Sequence, residues 1–199
     1  IEVRFALVFP DLYDVGLSNL GLHILGSSLN SIPWVCAERS YAPGVDLEKQ
    51  LRERGIQTFL LESKDPLSSV DAIGITMQTE LTYTNMLNIL DLAGLPLRSV
   101  DRDESHSLVF AGGPTSFNPE PMAPFFDFFV IGDGEDVIVE LAFLLRTSKS
   151  LSREALLLEI GKIEGCYVPR HYTMEVAPDG SLVPALDAPM VIKRVVHDL

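Results

Sequence analysis

Glycines and acidic residues follow directly after the apolar runs of this sequence, where they could bind a phosphate group or a metal ion. Gly132-Asp133-Gly134-Glu135 comes after the apolar run 128–131 and opens a helical pattern, so it begins like the G-x-G-x-x-G fingerprint of dinucleotide-binding proteins. Val137 replaces the third glycine, and the acidic side chains would repel a pyrophosphate at the start of the helix. We therefore interpret the acidic residues as complementing the dipole of that helix.

A second group of glycines, Gly112-Gly113-Pro114, ends another apolar run. Two adjacent glycines allow a ligand or another backbone to approach closely, and they also permit a positive φ angle. A tight turn into the following proline explains them equally well. The next segment, Asn118-Pro119-Glu120-Pro121, predicts a stiff polar loop that could line a flat ligand.

Asp11 and Asp14 follow the first apolar run and could bind Mg²⁺, as acidic pairs do in phospho-receiver domains. A receiver also needs an aspartate after its third strand and a lysine after its last, and here Glu62 and Gly132-Asp133-Gly134 stand at those positions. We favour capping of the first helix by Asp14 or Ser18. The four histidines lack metal-ligand spacing, and the sequence has neither G-x-S-x-G nor G-x-x-x-x-G-K-[ST]. It therefore contains no complete catalytic set.

The composition excludes several classes of protein. Lysine and arginine total 15 and aspartate and glutamate total 28, so the formal net charge is −13. That charge disfavours nucleic acid as a partner. With 47% hydrophobic residues, the chain can bury a core and is not a disordered tail. No apolar run reaches the roughly 18 residues of a membrane span, and the sequence has no signal-peptide pattern, so we expect a soluble cytoplasmic protein.

The cysteines and the ends of the sequence give two further expectations. Cys36 and Cys166 are the only cysteines, and their wide separation predicts free thiols in a reducing compartment. The sequence begins at Ile1 without a methionine and stops at Leu199 just after an apolar run. We therefore expect a segment of a longer protein.

Apolar runs alternate with helical patterns along the chain, which predicts an α/β fold with a doubly wound, mostly parallel sheet. This domain is expected over residues 1–149, followed by a small C-terminal helix, a β-hairpin and a linker over 150–199. The predicted strands cover 4–10, 34–41, 58–61, 71–77, 107–111 and 128–131. The predicted helices cover 17–29, 45–54, 81–93, 136–145 and 152–163. The predicted hairpin joins the runs 167–176 and 181–186 through a turn at 177–180.

Ligands of doubly wound sheets bind outside the carboxyl ends of the strands, where the strand order reverses. The loops at those ends are rich in glycine and in acidic, amide and hydroxyl residues, whereas the strands are almost wholly apolar. The site is therefore expected among the loops 11–18, 62–66, 77–82, 112–120 and 132–136.

These loops together resemble the cobalamin-binding domain that precedes many radical S-adenosylmethionine (SAM) enzymes, which has a flavodoxin-like fold. The similarity spans residues 4–146. Segments 11–21, 83–87 and 117–121 are similar more narrowly to uncharacterised radical SAM proteins in which this domain leads directly into the cluster domain. Lys193-Arg194-Val195-Val196 with Asp198-Leu199 resembles the linker before that domain. The elements that carry the resemblance are Asp11-Leu12-Tyr13-Asp14-Val15-Gly16, Ile73-Gly74-Ile75-Thr76-Met77-Gln78, Gly112-Gly113-Pro114 and Val130-Ile131-Gly132-Asp133-Gly134-Glu135.

The resemblance implies a set of cofactor-binding residues. Thr76, Met77 and Gln78 would edge the pocket for the nucleotide tail of cobalamin, and Gly112, Gly113 and Pro114 would pass beside it. The residues implied on the corrin side, or at the seam with the downstream domain, are Asp11, Tyr13, Ser18, Asn118 and Glu135. Gly16 and Gly132 complete the set.

One position of the resemblance differs in its chemistry. In the D-x-H-x-x-G motif of the family the histidine is the lower axial ligand of cobalt, and here Tyr13 stands at that position. A phenol titrates near pH ~10, so we expect no axial ligation of the histidine type; many radical SAM members of the family also lack the histidine. The C-x-x-x-C-x-x-C loop that holds a [4Fe–4S] cluster is missing from this sequence. The cluster and SAM are therefore assigned to the downstream radical SAM domain, the expected partner.

Three functions are open at this point. The first is an accessory domain that binds cobalamin. The second is a domain of the same fold that has lost its cofactor and serves as a docking scaffold for the radical SAM domain or another protein, since acidic loops suit a basic partner. The third is binding of a flavin or nucleotide in the same crevice. A large apolar cleft at the strand ends would favour a cofactor, whereas large side chains filling that space would favour the scaffold.

Overall fold

The computed structural model describes residues 1–185 and 188–196, and its centre is a six-stranded sheet. The strands are β1 (Val3–Phe9), β2 (Val35–Tyr41), β3 (Ala72–Thr76), β4 (Leu108–Gly112), β5 (Phe128–Val130) and β6 (Cys166–Tyr167). Their order is β2-β1-β3-β4-β5-β6; the first five are parallel, and β6 is antiparallel to β5. The predicted doubly wound, flavodoxin-like sheet is confirmed, with its order reversing between β1 and β3.

Among the described residues, six α-helices connect or flank these strands, and local signals set several of their ends. They are α1 (Tyr13–Gly16), α2 (Leu20–Asn30), α3 (Val45–Arg54), α4 (Tyr83–Leu92), α5 (Glu135–Thr147) and α6 (Arg153–Ile160). The side chain of Asn19 accepts a hydrogen bond from the Leu22 N–H (3.0 Å) and so caps α2. Gly55 ends α3 in the left-handed conformation, with φ +62°, as its sequence position predicts.

The apolar strands are buried on both faces of the sheet. Successive side chains of a strand point to opposite faces, so Phe5 and Leu7 pack in one layer while Ala6 and Val8 pack in the other. Helices α2, α5 and α6 cover the first layer, and α4 covers the second. The two-sided burial explains why β1 reads in the sequence as a continuous apolar run.

Two of the elements predicted before β3 are wrong. The apolar segment 58–61 is not a strand, because Phe59 makes only an isolated bridge with Pro66. A tight turn closes there instead, in which Leu60 is fully buried and its N–H donates to the Asp65 carbonyl (2.9 Å). The predicted helix 17–29 is also divided, since α1 ends at Gly16 and the Asn19 cap starts α2 at Leu20.

The run predicted as one strand over 167–176 contains two strands. Residues 166–167 form β6, the 3₁₀ turn Pro169–His171 follows, and β7 begins at Met174. Proline supplies no N–H to a strand, which accounts for the interruption. β7 (Met174–Val176) and β8 (Leu182–Pro184) pair antiparallel and confirm the predicted hairpin. Leu186, Asp198 and Leu199, which belong to the predicted hairpin and linker, lie outside the described residues.

Residues 191–196, here named the C-terminal strap, return to the carboxyl end of β5. The Arg194 N–H donates to the Ile131 carbonyl (3.0 Å), and the Asp133 N–H donates to the Arg194 carbonyl (3.0 Å). The Arg194 guanidinium also donates to Glu140 of α5 (2.6 Å). The strap therefore fixes the loop that follows β5.

Glu38 on β2 is a buried carboxylate held in its ionised form. Burial favours a higher pKa, but hydrogen bonds from Arg4 (2.8 Å) and from the Ser63 N–H (2.7 Å) outweigh it, so the Glu38 pKa is lowered from 4.5. Because the pKa is lower in the folded chain than in the unfolded one, this group stabilises the fold above the unfolded pKa. That contribution disappears as the pH falls through the folded pKa.

Replacing Glu38 by glutamine should therefore cost about 1 to 3 kcal/mol of unfolding free energy at neutral pH, because Arg4 loses its buried ionic partner and keeps the exposed Asp65 (2.8 Å). The difference from the wild type should shrink at an acidic pH well below 4.5, where the wild-type carboxyl group also becomes protonated. Urea unfolding of both proteins at the neutral and the acidic pH measures this difference in unfolding free energy. Glu53→Gln, in an exposed pair with Lys49 (3.8 Å), is the control expected to change little. An equal difference at both pH values would contradict this account of Glu38.

Membrane-spanning helices and metal clusters are both absent from the described residues. No helix among them combines the length and the apolar character that a bilayer crossing needs. They also contain no group of three or more histidine, cysteine, aspartate or glutamate side chains arranged to hold a metal ion.

Candidate functional site

A cleft of about 240 Å³ opens at the carboxyl edge of the sheet. It lies between α2 and α5, over the ends of β1, β3, β4 and β5. This is the side of a doubly wound sheet on which ligands bind. Its lining residues are Leu7, Asn19, Gly21, Leu22, Leu25, Gly74, Ile75, Thr76, Gln78, Phe110, Gly112, Gly113, Val130, Gly132, Asp133, Gly134, Glu135 and Ile138.

Polar side chains stand at the mouth of this cleft. Thr76 and Gln78 come from the end of β3, and the Gln78 amide donates a hydrogen bond to the Thr76 hydroxyl (2.7 Å). Asn19 and Glu135 stand opposite them at the starts of α2 and α5. Parallel strands run toward this edge, so apolar residues earlier in each strand form the deeper walls. The mouth can hydrogen-bond a ligand while the interior excludes water.

Gly113 joins the loops that follow β3 and β4. Its φ is +117°, and a Cβ there would lie 3.0 Å from the Met77 carbonyl oxygen. The Met77 N–H donates to Gly112 (2.6 Å), and the Met77 carbonyl accepts from both the N–H (3.0 Å) and the hydroxyl (2.9 Å) of Thr115. The glycine pair therefore serves a close backbone approach as well as a turn, and it keeps one wall of the cleft free of side chains.

The structure brings six of the predicted site residues to the cleft: Thr76, Gln78, Gly112, Gly113, Gly132 and Glu135. Met77 adjoins it through its backbone only, because its side chain is fully buried in the layer covered by α4. Pro114 starts the 3₁₀ turn Pro114–Phe117, and Asn118 follows that turn in an exposed position. These two residues lie on the rim beyond the cleft lining.

The residues predicted after β1 lie outside the cleft lining. The Tyr13 ring packs edge-on against Tyr41 at 5.2 Å, in a separate groove beside α3. Gly16 permits this packing, since a Cβ there would lie 2.7 Å from the rings of Phe9 and Tyr41. The Asp11 carboxylate accepts the Leu12 N–H (2.7 Å), and Ser18 is exposed. Tyr13 is therefore not directed at a ligand in the cleft.

The cleft-lining residues that were not predicted from the sequence are mainly apolar. They come from β1, β4 and β5 and from the inward faces of α2 and α5. Strand alternation and helical spacing could have identified them, because each lies on the sheet face that carries α2 and α5. They are Leu7, Leu22, Leu25, Phe110, Val130 and Ile138.

Comparisons with known proteins agree with the fold and with the family resemblance. The uncharacterized protein MJ0966 of Methanocaldococcus jannaschii is 26% identical over 174 residues, which cover 87% of this chain and 33% of that protein. The chain thus spans about a third of the length of this curated relative. The solved structure of the radical S-adenosylmethionine methyltransferase TsrM from Kitasatospora setae, with tryptophan substrate and the SAM analog aza-SAM bound, is 16% identical. It matches 89% of this chain and 29% of that chain with a TM-score of 0.50, a likeness of fold alone.

The family comparison covers most of the chain. A family model described as the N-terminal region of radical SAM proteins matches residues 21–169. This range runs from the start of α2 through β6 and so includes nearly all of the cleft. The chain belongs to the family of radical SAM protein N-terminal domains.

Proposed function

We propose that this chain is an accessory domain that binds cobalamin for a downstream radical SAM domain of the same protein. The observation that carries the proposal is the cleft of about 240 Å³ at the carboxyl edge of a flavodoxin-like sheet. Family membership supports the radical SAM context. The loops around the cleft resemble those of cobalamin-binding domains. The downstream domain would hold the [4Fe–4S] cluster and SAM.

The residues around the cleft fit this cofactor. A side chain at Gly113 would collide with the Met77 backbone, and one at Gly74 would collide with the Phe110 ring, so glycine keeps both positions open. The interior of the cleft is apolar. Thr76 and Gln78 would edge the nucleotide tail, with Pro114 beside it, while Glu135 and Asn118 would face the corrin ring. Bound cobalamin would supply a methyl carrier or an electron relay, and the domain would bind and orient it. Tyr13, packed against Tyr41, would not ligate the cobalt.

Titration with hydroxocobalamin and methylcobalamin, followed by the visible spectrum and by calorimetry, tests the proposal. Gly112→Leu should weaken binding at least about tenfold, because it places a branched side chain inside the cleft. Its Cβ itself meets Val130 at 3.5 Å, an ordinary contact, so the fold should tolerate it. Tyr13→Phe should leave both the affinity and the spectrum unchanged. Absence of binding, with and without the downstream domain, would overturn the proposal.

A cofactor-free docking scaffold is the second candidate. The observation that favours it is a set of large apolar side chains exposed in the loops and helix starts at the carboxyl edge. Leu20 is 70% exposed and Leu81 is 87% exposed, and Phe117 is more than half exposed. Such groups suit burial against the downstream domain. The same titration separates the two candidates, because a scaffold would show no affinity for either corrinoid while still binding that domain.

A further inference from the structure

The deeper walls of the cleft are apolar throughout, and its polar side chains are confined to the mouth. Leu7 and Phe110 precede the carboxyl ends of their strands and Val130 is the last residue of β5, so all three lie deeper than the residues of the loops that follow. Helices α2 and α5 begin at the mouth and run away from it. Their residues Leu22 and Ile138 therefore lie deeper than the capping residues.

Phe110 sets the depth of the cleft. Its ring covers Gly74, where a Cβ would lie only 2.5 Å from the ring. The same ring stacks on Phe128, with centroids 4.9 Å apart and planes 6° apart. A buried aromatic pair of this kind is fixed by packing, since side chains in a dense core occupy single conformations. The floor is therefore a rigid apolar surface rather than an adaptable one.

The volume of the cleft indicates the size of the group that enters it. An apolar cavity of about 150 Å³ holds one benzene ring, and pockets that enclose whole drug-sized ligands measure about 300 to 1,000 Å³. At about 240 Å³ this cleft lies between the two. It suits a planar group of two fused rings and is too small for a complete corrinoid.

The chemistry of the walls indicates the polarity of that group. Backbone groups of β3 and β4 near the floor are already paired within the sheet. The amino group and additional ring nitrogens of a purine would therefore be buried there without hydrogen-bond partners, which is costly. A benzimidazole exposes fewer such groups.

Resting on the proposed function, we infer that this cleft selects corrinoids whose lower base is a benzimidazole over those whose lower base is a purine. The selectivity arises from the apolar interior and from the aromatic floor at Phe110. Thr76 and Gln78 at the mouth contact the ribose and phosphate of the tail and do not distinguish the two bases.

Three corrinoids test the inference on the wild-type chain by calorimetric titration: cobalamin, its analogue with adenine as the lower base, and cobinamide, which has no base. Cobalamin should bind at least about tenfold more tightly than the adenine analogue, which should bind about as weakly as cobinamide. Equal or tighter binding of the adenine analogue would overturn the inference. Equal binding of cobinamide and cobalamin would overturn it too, while leaving the proposed function intact. Failure of all three to bind would overturn both.

A matched pair of variants tests the wall directly. Leu25→Asn introduces a polar group on the α2 wall, where the leucine is only half-buried, and it should reduce the preference for cobalamin at least about threefold. Ile24→Asn is the control, because Ile24 is its neighbour on α2, is 37% exposed and lies outside the cleft lining. The ratio of the two affinities is compared within each variant, so a loss of stability does not affect it. Equal ratios in the two variants would contradict the inference.

Discussion

Replacing Asp127 by asparagine is expected to destabilise the chain by about 3 to 5 kcal/mol, because the buried guanidinium groups of Arg102 and Arg153 would lose the buried carboxylate that they face. The Asp127 side chain is fully buried just before β5. It accepts hydrogen bonds from Arg153 (2.8 Å) and from the Val109 N–H (2.7 Å). It also lies 3.6 Å from Nε of Arg102, whose side chain is fully buried as well. Burial lowers the Arg102 pKa to about 10, and the charge of Asp127 limits this decrease.

Urea unfolding at neutral pH, followed by circular dichroism, measures the effect of Asp127→Asn. Asp101→Asn is the matched control, since Asp101 is exposed in a 3₁₀ turn of the same region. Its stability should stay within about 0.5 kcal/mol of the wild type. If Asp127→Asn instead lost less than about 1 kcal/mol, the guanidinium groups would have to be hydrated, which contradicts their burial.

The sequence predicted those parts of the fold that depend on local signals. Strand β1 is buried on both faces and therefore reads as an apolar run, and Gly55 ends α3 through its own conformational freedom. The segment 58–61 has the same apolar character and lies beside edge strand β2, where the Leu61 N–H donates to the Arg39 carbonyl (2.7 Å), but it does not form a strand ladder with β2. Burial of Leu60 accounts for the apolar composition of this segment. Pairing depends on residues distant in the sequence, which a local pattern does not contain.

The contrast between local signals and contacts of distant residues also explains which site residues could be predicted. The loops at strand ends are local features, so the sequence places Thr76, Gln78 and the glycine pair at the edge of the sheet where the cleft opens. The walls depend on which face of α2 meets the sheet, so Leu22 was missed although its spacing is helical. Tyr13 was assigned by its position in a motif. Its contact with Tyr41 of β2 arises from tertiary packing that the motif does not encode.

Gly132→Ala is expected to release the C-terminal strap. Gly132 has φ +108°, and a Cβ there would overlap the Arg194 carbonyl oxygen and lie 2.9 Å from the Arg194 nitrogen. Both the backbone strain and the overlap oppose the side chain, so the two backbone hydrogen bonds between the strap and the loop after β5 should break. At about 1 kcal/mol each, their loss should raise the population of detached strap at least about tenfold.

Trypsin cleavage after Lys193 or Arg194 reports this detachment, because a protease needs an unfolded segment. The cleavage rate under native conditions should rise at least about tenfold in Gly132→Ala. Gly134→Ala is the matched control: its φ is −95°, and its Cβ would meet Leu25 at 3.5 Å, an ordinary contact. An unchanged rate in Gly132→Ala would mean that the strap is not held at Gly132. Since Gly132 and Asp133 also line the cleft, a detached strap should weaken cobalamin binding in the same variant, whereas a strap independent of the cleft would leave that affinity unchanged.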